Sequence, residues 1–492
     1  MLIKKIIQNK ILLYGLISET LYLSLFLIDG FFRKTFNDYS IHPKNPIILF
    51  FLFAVFGILF FLFIKIYKFI DRNGCDQKSF KIILLFFIIF LLTLIIIPPI
   101  GSSDIYCYMA TNKALTDYHL NPFTTPASQS PAENTFVNLC SQDWANSTTV
   151  YGPVWHIILL PLGIIKTQNF FLNIISFKLL MVLFSALSLF LIYKILNIIN
   201  PKLKYLGVIL YAWNPFILFE TANNAHNDIV MIFFILLFIY CLLKKKYVLA
   251  TIFITFSILI KYISILLLPL FIIFLFKIPP TPFSKKGISK NKQKNALKEK
   301  TKIVLSNGFA FLFTLFIFYI PFLNNFSDFK KIIFHIINRS NLISFWYLSP
   351  FGYLIGLIYY LISFLNNSLI NKYDIMLAIK NYSVFFFLIT YIFILFFYIK
   401  EKNSVKNLIK YSAYIFIAYL LIANVWLMEW YLLWPLLLLI ITDEKNYSLY
   451  FLITALALLS YPFSFIGSII ILIIFIFYFQ LTEKLKLKLK NV

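Results

Sequence analysis

Apolar residues run in blocks of about twenty along almost the whole chain, separated by short polar stretches. Blocks 11–31, 46–70 and 81–100 come first, and 169–194, 205–219 and 229–243 follow a long polar gap. Block 247–276 is divided by Lys261, and 303–323, 345–365, 383–399, 411–424, 428–441, 448–462 and 463–480 complete the series. Twenty helical residues rise about 30 Å, the thickness of a bilayer's hydrocarbon core. The blocks lack the residue-by-residue alternation of an outer-membrane strand. This pattern predicts an all-α, polytopic membrane protein with roughly 14 transmembrane helices.

The polar gaps are of two kinds. One carries cations: Lys65, Lys68, Arg72, Lys78 and Lys81; then Lys244, Lys245 and Lys246; then nine lysines against one acid, Glu299, between Lys277 and Lys302. Such charge collects in cytoplasmic loops, which places the N-terminus inside. Block 247–276 then has to be a pair of short spans, because a single crossing would export the 277–302 stretch. That stretch, with Pro279, Pro280 and Pro282 at its head, reads as a disordered cytoplasmic linker. Block 345–365, with Pro350 and two glycines, reads as re-entrant or interfacial, since a full crossing would leave Lys400, Lys402, Lys406 and Lys410 outside.

The gap 101–152 is the second kind, with Asp104, Asp117, Glu133 and Asp143 against a single lysine, Lys113. It reads as an outer loop long enough to hold short helices of its own. The first block follows Lys4, Lys5 and Lys10 without a small-residue cleavage site, so a retained first helix is expected. The organisation is then an N-terminal helix pair (1–80), a transmembrane body (81–480) and a basic cytoplasmic tail (481–492).

Composition agrees: 61% of residues are hydrophobic, 13% are charged, and mean hydropathy is +0.87, beyond what a soluble fold accommodates. The net charge of +25 does not point to nucleic acid, because the lysines sit in the inner loops and report orientation. Four cysteines are too few for a disulfide scaffold or metal cluster, although Cys107 and Cys140 share the outer loop and could pair if it faces an oxidising compartment. Five histidines without paired-ligand spacing suggest no metal, and no cofactor is expected.

Under this topology the polar residues that interrupt apolar blocks gather on the outer face, where ionisable groups are costly unless paired or solvated in a cavity. In "PPIGSSDIYCYMATNK" (98–113), Asp104 suits a helix cap beside Ser102 and Ser103, or a general base at the membrane edge. Tyr151 stands in "YGPVW". Further on, Asn214 and Pro215 break a helix near its outer end, and "ETANNAHND" follows with Glu220, His226, Asn227 and Asp228. That turn is either a solvated hairpin or, with His226 and Asp228 flanking Asn227, a site for hydroxyl recognition or acid/base work.

Lys261, with no acidic neighbour in sequence, either snorkels to the interface or meets an anionic ligand such as a lipid phosphate. Arg339 supplies a second cation with a phosphate-matching fork. Glu429 and Trp430 in "MEWYLLWP" read as an interfacial aromatic belt or a sugar-stacking surface. Asn146-Ser147-Thr148 is a glycosylation sequon by pattern alone.

An aspartate ending an early helix, a long outer loop with "HLNPF" and "YGPVW", "WNPFILFE" leading into "NNAHNDIVM", a lysine before "LLLPL", and "EWYLLWPLL" near the end form an ordered set. In this the chain resembles the polyprenol-phosphate-mannose-dependent mannosyltransferases of the GT-C superfamily, from about residue 81 onward. "NNAHNDIVM" with its "WNPF" is the most specific piece. The resemblance implies a GT-C-like bundle and transfer of a sugar, mannose by analogy, from a polyprenyl-phosphate donor to a glycan or lipid-linked acceptor at the outer face of the cell membrane. It implies direct displacement with inversion, Asp104 as general base, and Lys261 and Arg339 as stabilisers of the lipid phosphate. His226, Asn227, Asp228, Glu220, Tyr151, Glu429 and Trp430 would bind substrate. Many relatives carry a paired acidic motif where "SSDIY" has one acid. A secondary transporter or flippase for a lipid-linked glycan is the alternative; it predicts ionisable groups near the midplane and an internal repeat, and no repeat is visible.

Overall fold

The computed structural model describes residues 2–28, 46–164, 169–278, 290–323, 327–332, 348–365, 371–442 and 447–460, with Asn325. Its principal helices are α1 (Leu2–Ser24), α2 (Pro46–Asn73), α3 (Gln77–Ile96), α4 (Asp104–Tyr118), α5 (Pro153–Ile164), α6 (Phe170–Ile199), α7 (Lys204–Ala212) and α8 (Asp228–Leu243). They continue with α9 (Tyr247–Ile258), α10 (Leu268–Phe276), α11 (Lys290–Tyr319), α12 (Pro350–Leu365), α13 (Lys372–Lys400), α14 (Val405–Ala418), α15 (Leu433–Ile440) and α16 (Ser448–Ser460). Among the described residues, seven helices are long and apolar enough to span a membrane, eight if the bent pair Pro215–Asn223 and Asp228–Leu243 is one span, and six shorter apolar helices pack with them. The protein is an all-α polytopic membrane protein. The last expected block, 463–480, and the tail lie outside the described residues.

Polar side chains set where the helices begin. Asp76 accepts from the Ser79 amide at the start of α3, Asn169 from Phe171 and Leu172 at the start of α6, Asn371 from Tyr373 at α13, and Ser404 from Asn407 at α14. Each satisfies amide groups that the first helical turn leaves without carbonyl partners.

The helices run between two chemically distinct ends. At one end, Gln8 reaches Asp76, Phe80 packs on Tyr193 and Tyr205, and Lys277 donates to the carbonyls of Tyr398 and Ile399. Lys244–Lys246, between α8 and α9, belong to this lysine-rich end, because Lys245 and Lys246 stand beside Ile303 and Asn307 of α11. From here α3, α7, α9 and α14 run to the opposite end, and α6, α8, α10 and α13 return.

Two local expectations change, and a third element takes a definite form. The lysine-rich stretch is helical from Lys290, where α11 begins, and residues 279–289 lie outside the described set. The reason is propensity: "KNKQKNALKEK" is dominated by strong helix formers. The break at Asn214–Pro215 comes only about 14 Å along from Lys204, in mid-bundle. Asn214 there caps the short helix Pro215–Leu218 and donates to Thr454 of α16. Lastly, α12 is a 16-residue helix that packs antiparallel on the first half of α13, with Phe351 against Phe386 and Tyr359 near Tyr382. Its far end therefore lies away from the lysine-rich end.

Candidate active site

The lining of one cavity of about 550 Å³ opposite the lysine-rich end comes from five parts of the chain. They are the 101–111 turn and start of α4, the loop 141–151, the start of α5, residues 261–263, and α13 together with 419–434.

The "PPIGSSD" turn is pinned onto "ETANNAHND". The Ile100 amide donates to the side-chain oxygens of Asn223 and Asn224 at 3.0 and 3.2 Å, and Asn223 Nδ2 donates to the carbonyls of Ile97 and Pro98 at 3.0 and 3.1 Å. The buried Lys178 ammonium also donates to the carbonyls of Leu94 and Ile97, closing the end of α3. Residues Phe219–Asn223 widen into a π-turn, Ala225 takes φ +57°, and the chain bends by 115° into α8. A left-handed alanine costs on the order of 1 kcal/mol and persists only where its surroundings fix it. The asparagine turn is thus fully buried structure and no solvated hairpin: Asn223, Asn224, His226, Asn227 and Asp228 show no exposure.

Asp104 is the first residue of α4, its side chain 18% exposed at the cavity wall. It does not cap the helix; its own amide is received by Ser102 Oγ at 3.2 Å. Its carboxylate lies 3.5 Å from His226 Nδ1, and His226 Nε2 lies 3.2 Å from Glu220 Oε2. Both contacts are at ion-pair distance without hydrogen-bond alignment. Asn224 donates to Glu220 at 3.3 Å, and the His226 ring is stacked 3.8 Å from Trp430.

Asp228 faces the other way. Both its oxygens bind the Lys261 ammonium, at 2.7 and 2.8 Å, and one also accepts from the Trp434 indole. Lys261 in turn sits over the rings of Tyr431 and Trp434, 4.5 and 5.4 Å from their centroids. Sequence neighbours His226 and Asp228 are therefore in different clusters, because the π-turn and the following bend point them apart. Lys261 has an acidic partner, 33 positions away in sequence.

Tyr151 lines the cavity and donates to Tyr108 Oη at 3.5 Å. Burial and the neighbouring Tyr151, Asp104 and Asp228 hold the Tyr108 phenol well above its usual range, so it stays protonated. Gly152 lets this loop dock: its amide bonds the Ile260 carbonyl, and a Cβ there would lie 2.3 Å from the Leu259 carbonyl oxygen. Glu429 begins the turn Glu429–Leu432, outside the cavity lining. Asn227 is also outside the lining; its carbonyl starts α8 and its buried amide group makes no hydrogen bond among the described residues. Arg339 lies outside the described residues. Cys107 and Cys140 form a disulfide that ties α4 to the outer loop.

Sequence reasoning missed Tyr108, Trp144, Trp426 and Lys380 in the lining. Trp144 and Trp426 meet edge to face at 5.6 Å from two segments remote in sequence. Lys380 had a usable signal: it is the last charge before nineteen residues, 381–399, that contain no Asp, Glu, Lys or Arg.

Residues 32–277 match the family described as alpha-(1->6)-mannopyranosyltransferase, N-terminal domain, a stretch that carries Asp104, the asparagine turn and Lys261. The chain belongs to this mannosyltransferase family. The family match takes in α2, which the resemblance read from the sequence left out. Alpha-(1->6)-mannopyranosyltransferase A of Corynebacterium glutamicum is 26% identical over 179 residues, 36% of this chain and 35% of that protein, so the alignment spans about a third of the relative's length.

Proposed function

We propose that the protein is a mannosyltransferase that takes mannose from a polyprenyl-phosphate carrier and attaches it to a hydroxyl of a glycan or lipid-linked acceptor at the outer membrane face. The observation that carries this reading is the Asp104 carboxylate on the wall of a cavity that aromatic rings also line. In the reaction, Asp104 accepts the proton of the acceptor hydroxyl as its oxygen bonds to the anomeric carbon. The bond from that carbon to the phosphate oxygen breaks, and its electron pair leaves with the lipid phosphate. With the α-(1→6) linkage of the family description, inversion requires a β-linked donor.

His226, held between Trp430, Glu220 and Asp104, orients the base. The Lys261–Asp228 pair braces Tyr431 and Trp434 on the facing wall. Two observations support the outer face: the site lies at the end away from the lysine-rich loops, and the Cys107–Cys140 disulfide belongs to oxidising compartments.

The test offers purified protein in proteoliposomes two radiolabelled donors, polyprenyl-phosphate mannose and a nucleotide-linked mannose, with a mannose-bearing acceptor. Transfer from the lipid donor alone is expected. Transfer from the nucleotide donor, or movement of the intact lipid-linked sugar across the bilayer without transfer, would overturn the reading, the second in favour of a flippase.

A further inference from the structure

We propose that Lys380 is the phosphate-binding residue for the lipid donor, and that the strip below it on α13 receives the first isoprene units. This rests on the reading of the donor as a polyprenyl phosphate. Lys380 and Lys400 are twenty residues apart on one continuous helix, so they stand about 30 Å apart along its axis. Lys400 belongs to the lysine-rich end, where Lys277 meets the last turn of α13. One hydrocarbon thickness away, Lys380 is at the opposite headgroup level, the depth at which a membrane-anchored monophosphate carries its charge.

The stretch 381–399 between them contains no Asp, Glu, Lys or Arg. Lys380 lines the cavity with Val384 and Phe387, at the i, i+4 and i+7 spacing of one helix face. Phe387 is buried, whereas Val384 is 43% exposed although it lines the cavity. The cavity is therefore open at α13, with a cation at headgroup height and apolar surface directly below it. Among the described residues the lysines in the lining are Lys261 and Lys380, and of the two it is Lys380 that shares its helix face with the apolar strip. A lipid entering sideways would bring its phosphate to Lys380, its chain to Val384 and its sugar inward. When the anomeric bond breaks, the charge gained by the phosphate oxygens arises beside this ammonium.

Binding is measured without sugar or acceptor, by quenching of the cavity tryptophans on titrating a long-chain polyprenyl monophosphate, a polyprenol and inorganic phosphate. The wild type is expected to bind the monophosphate at least about tenfold more tightly than the polyprenol, and Lys380→Gln to remove that preference, while Lys380→Arg keeps it. Inorganic phosphate at the same concentration should not compete. If Lys380→Gln proves unstable, Val384→Trp, which fills the strip and keeps the charge, should weaken the monophosphate and the polyprenol alike. An unchanged preference in Lys380→Gln, unaltered binding in Val384→Trp, or competition by inorganic phosphate overturns the proposal. Because no transfer is read, a protein that binds the monophosphate through Lys380 but moves no mannose would contradict the proposed function and leave this site standing.

Discussion

Lys261 shows what a single residue owes to distant partners. Its sequence neighbourhood offers no acid, and its counter-charge, Asp228, reaches it only because the chain reverses between α8 and α9. Removing one member of a buried pair leaves the other uncompensated, at a cost of about 3–5 kcal/mol. Lys261→Met is therefore expected to lower the thermal midpoint in detergent sharply, and the double change Lys261→Met with Asp228→Asn to recover part of the loss. His226 was legible as chemically important, but its role was not, because Asp104, Glu220 and Trp430 come from three segments that only the fold assembles. His226→Ala should leave Asp104 less well oriented, lowering kcat about tenfold or more with little change in acceptor KM, a split measured by steady-state transfer kinetics.

Elements are where local signals and packing diverge. The division of 247–276 around Lys261 was readable, since an uninterrupted span would put lysines on the wrong side, and the chain indeed breaks there into α9, the turn Tyr262–Leu267 and α10. The helical start of α11 was hidden because charge and prolines resemble a linker when propensity is not summed over the window. Burial of the asparagine turn was hidden for a different reason: its partners are backbone groups of the 97–100 turn, which no side-chain pattern encodes. The close approach of "YGPVW" to the end of α9 gives an element-scale prediction. Gly152→Ala drives a methyl group into the Leu259 carbonyl, so the loop must shift. A loss of about 1–3 kcal/mol in stability, together with weaker acceptor binding, is expected from unfolding and binding titrations.

At the scale of the whole molecule, the asymmetry of lysines revealed two ends from sequence alone, and the helices of the structure run between such ends. The number of full crossings was less legible, because bends near Asn214 and Lys261 and the short α12 make apolar length a poor measure of spanning. In a Cys75→Ser, Cys241→Ser background, Gln129→Cys should react with a membrane-impermeant maleimide on intact cells, and Lys402→Cys only after permeabilisation. The reverse pattern would invert the protein and its site. What the proposed chemistry requires of this architecture is that one carboxylate, Asp104, takes the acceptor's proton. Wild-type and Asp104→Asn proteins of equal thermal midpoint should be compared in proteoliposomes for transfer of radiolabel from polyprenyl-phosphate mannose. A fall of about 100-fold or more in the variant's turnover is expected; a rate near that of the wild type would contradict the assignment of Asp104 as the base.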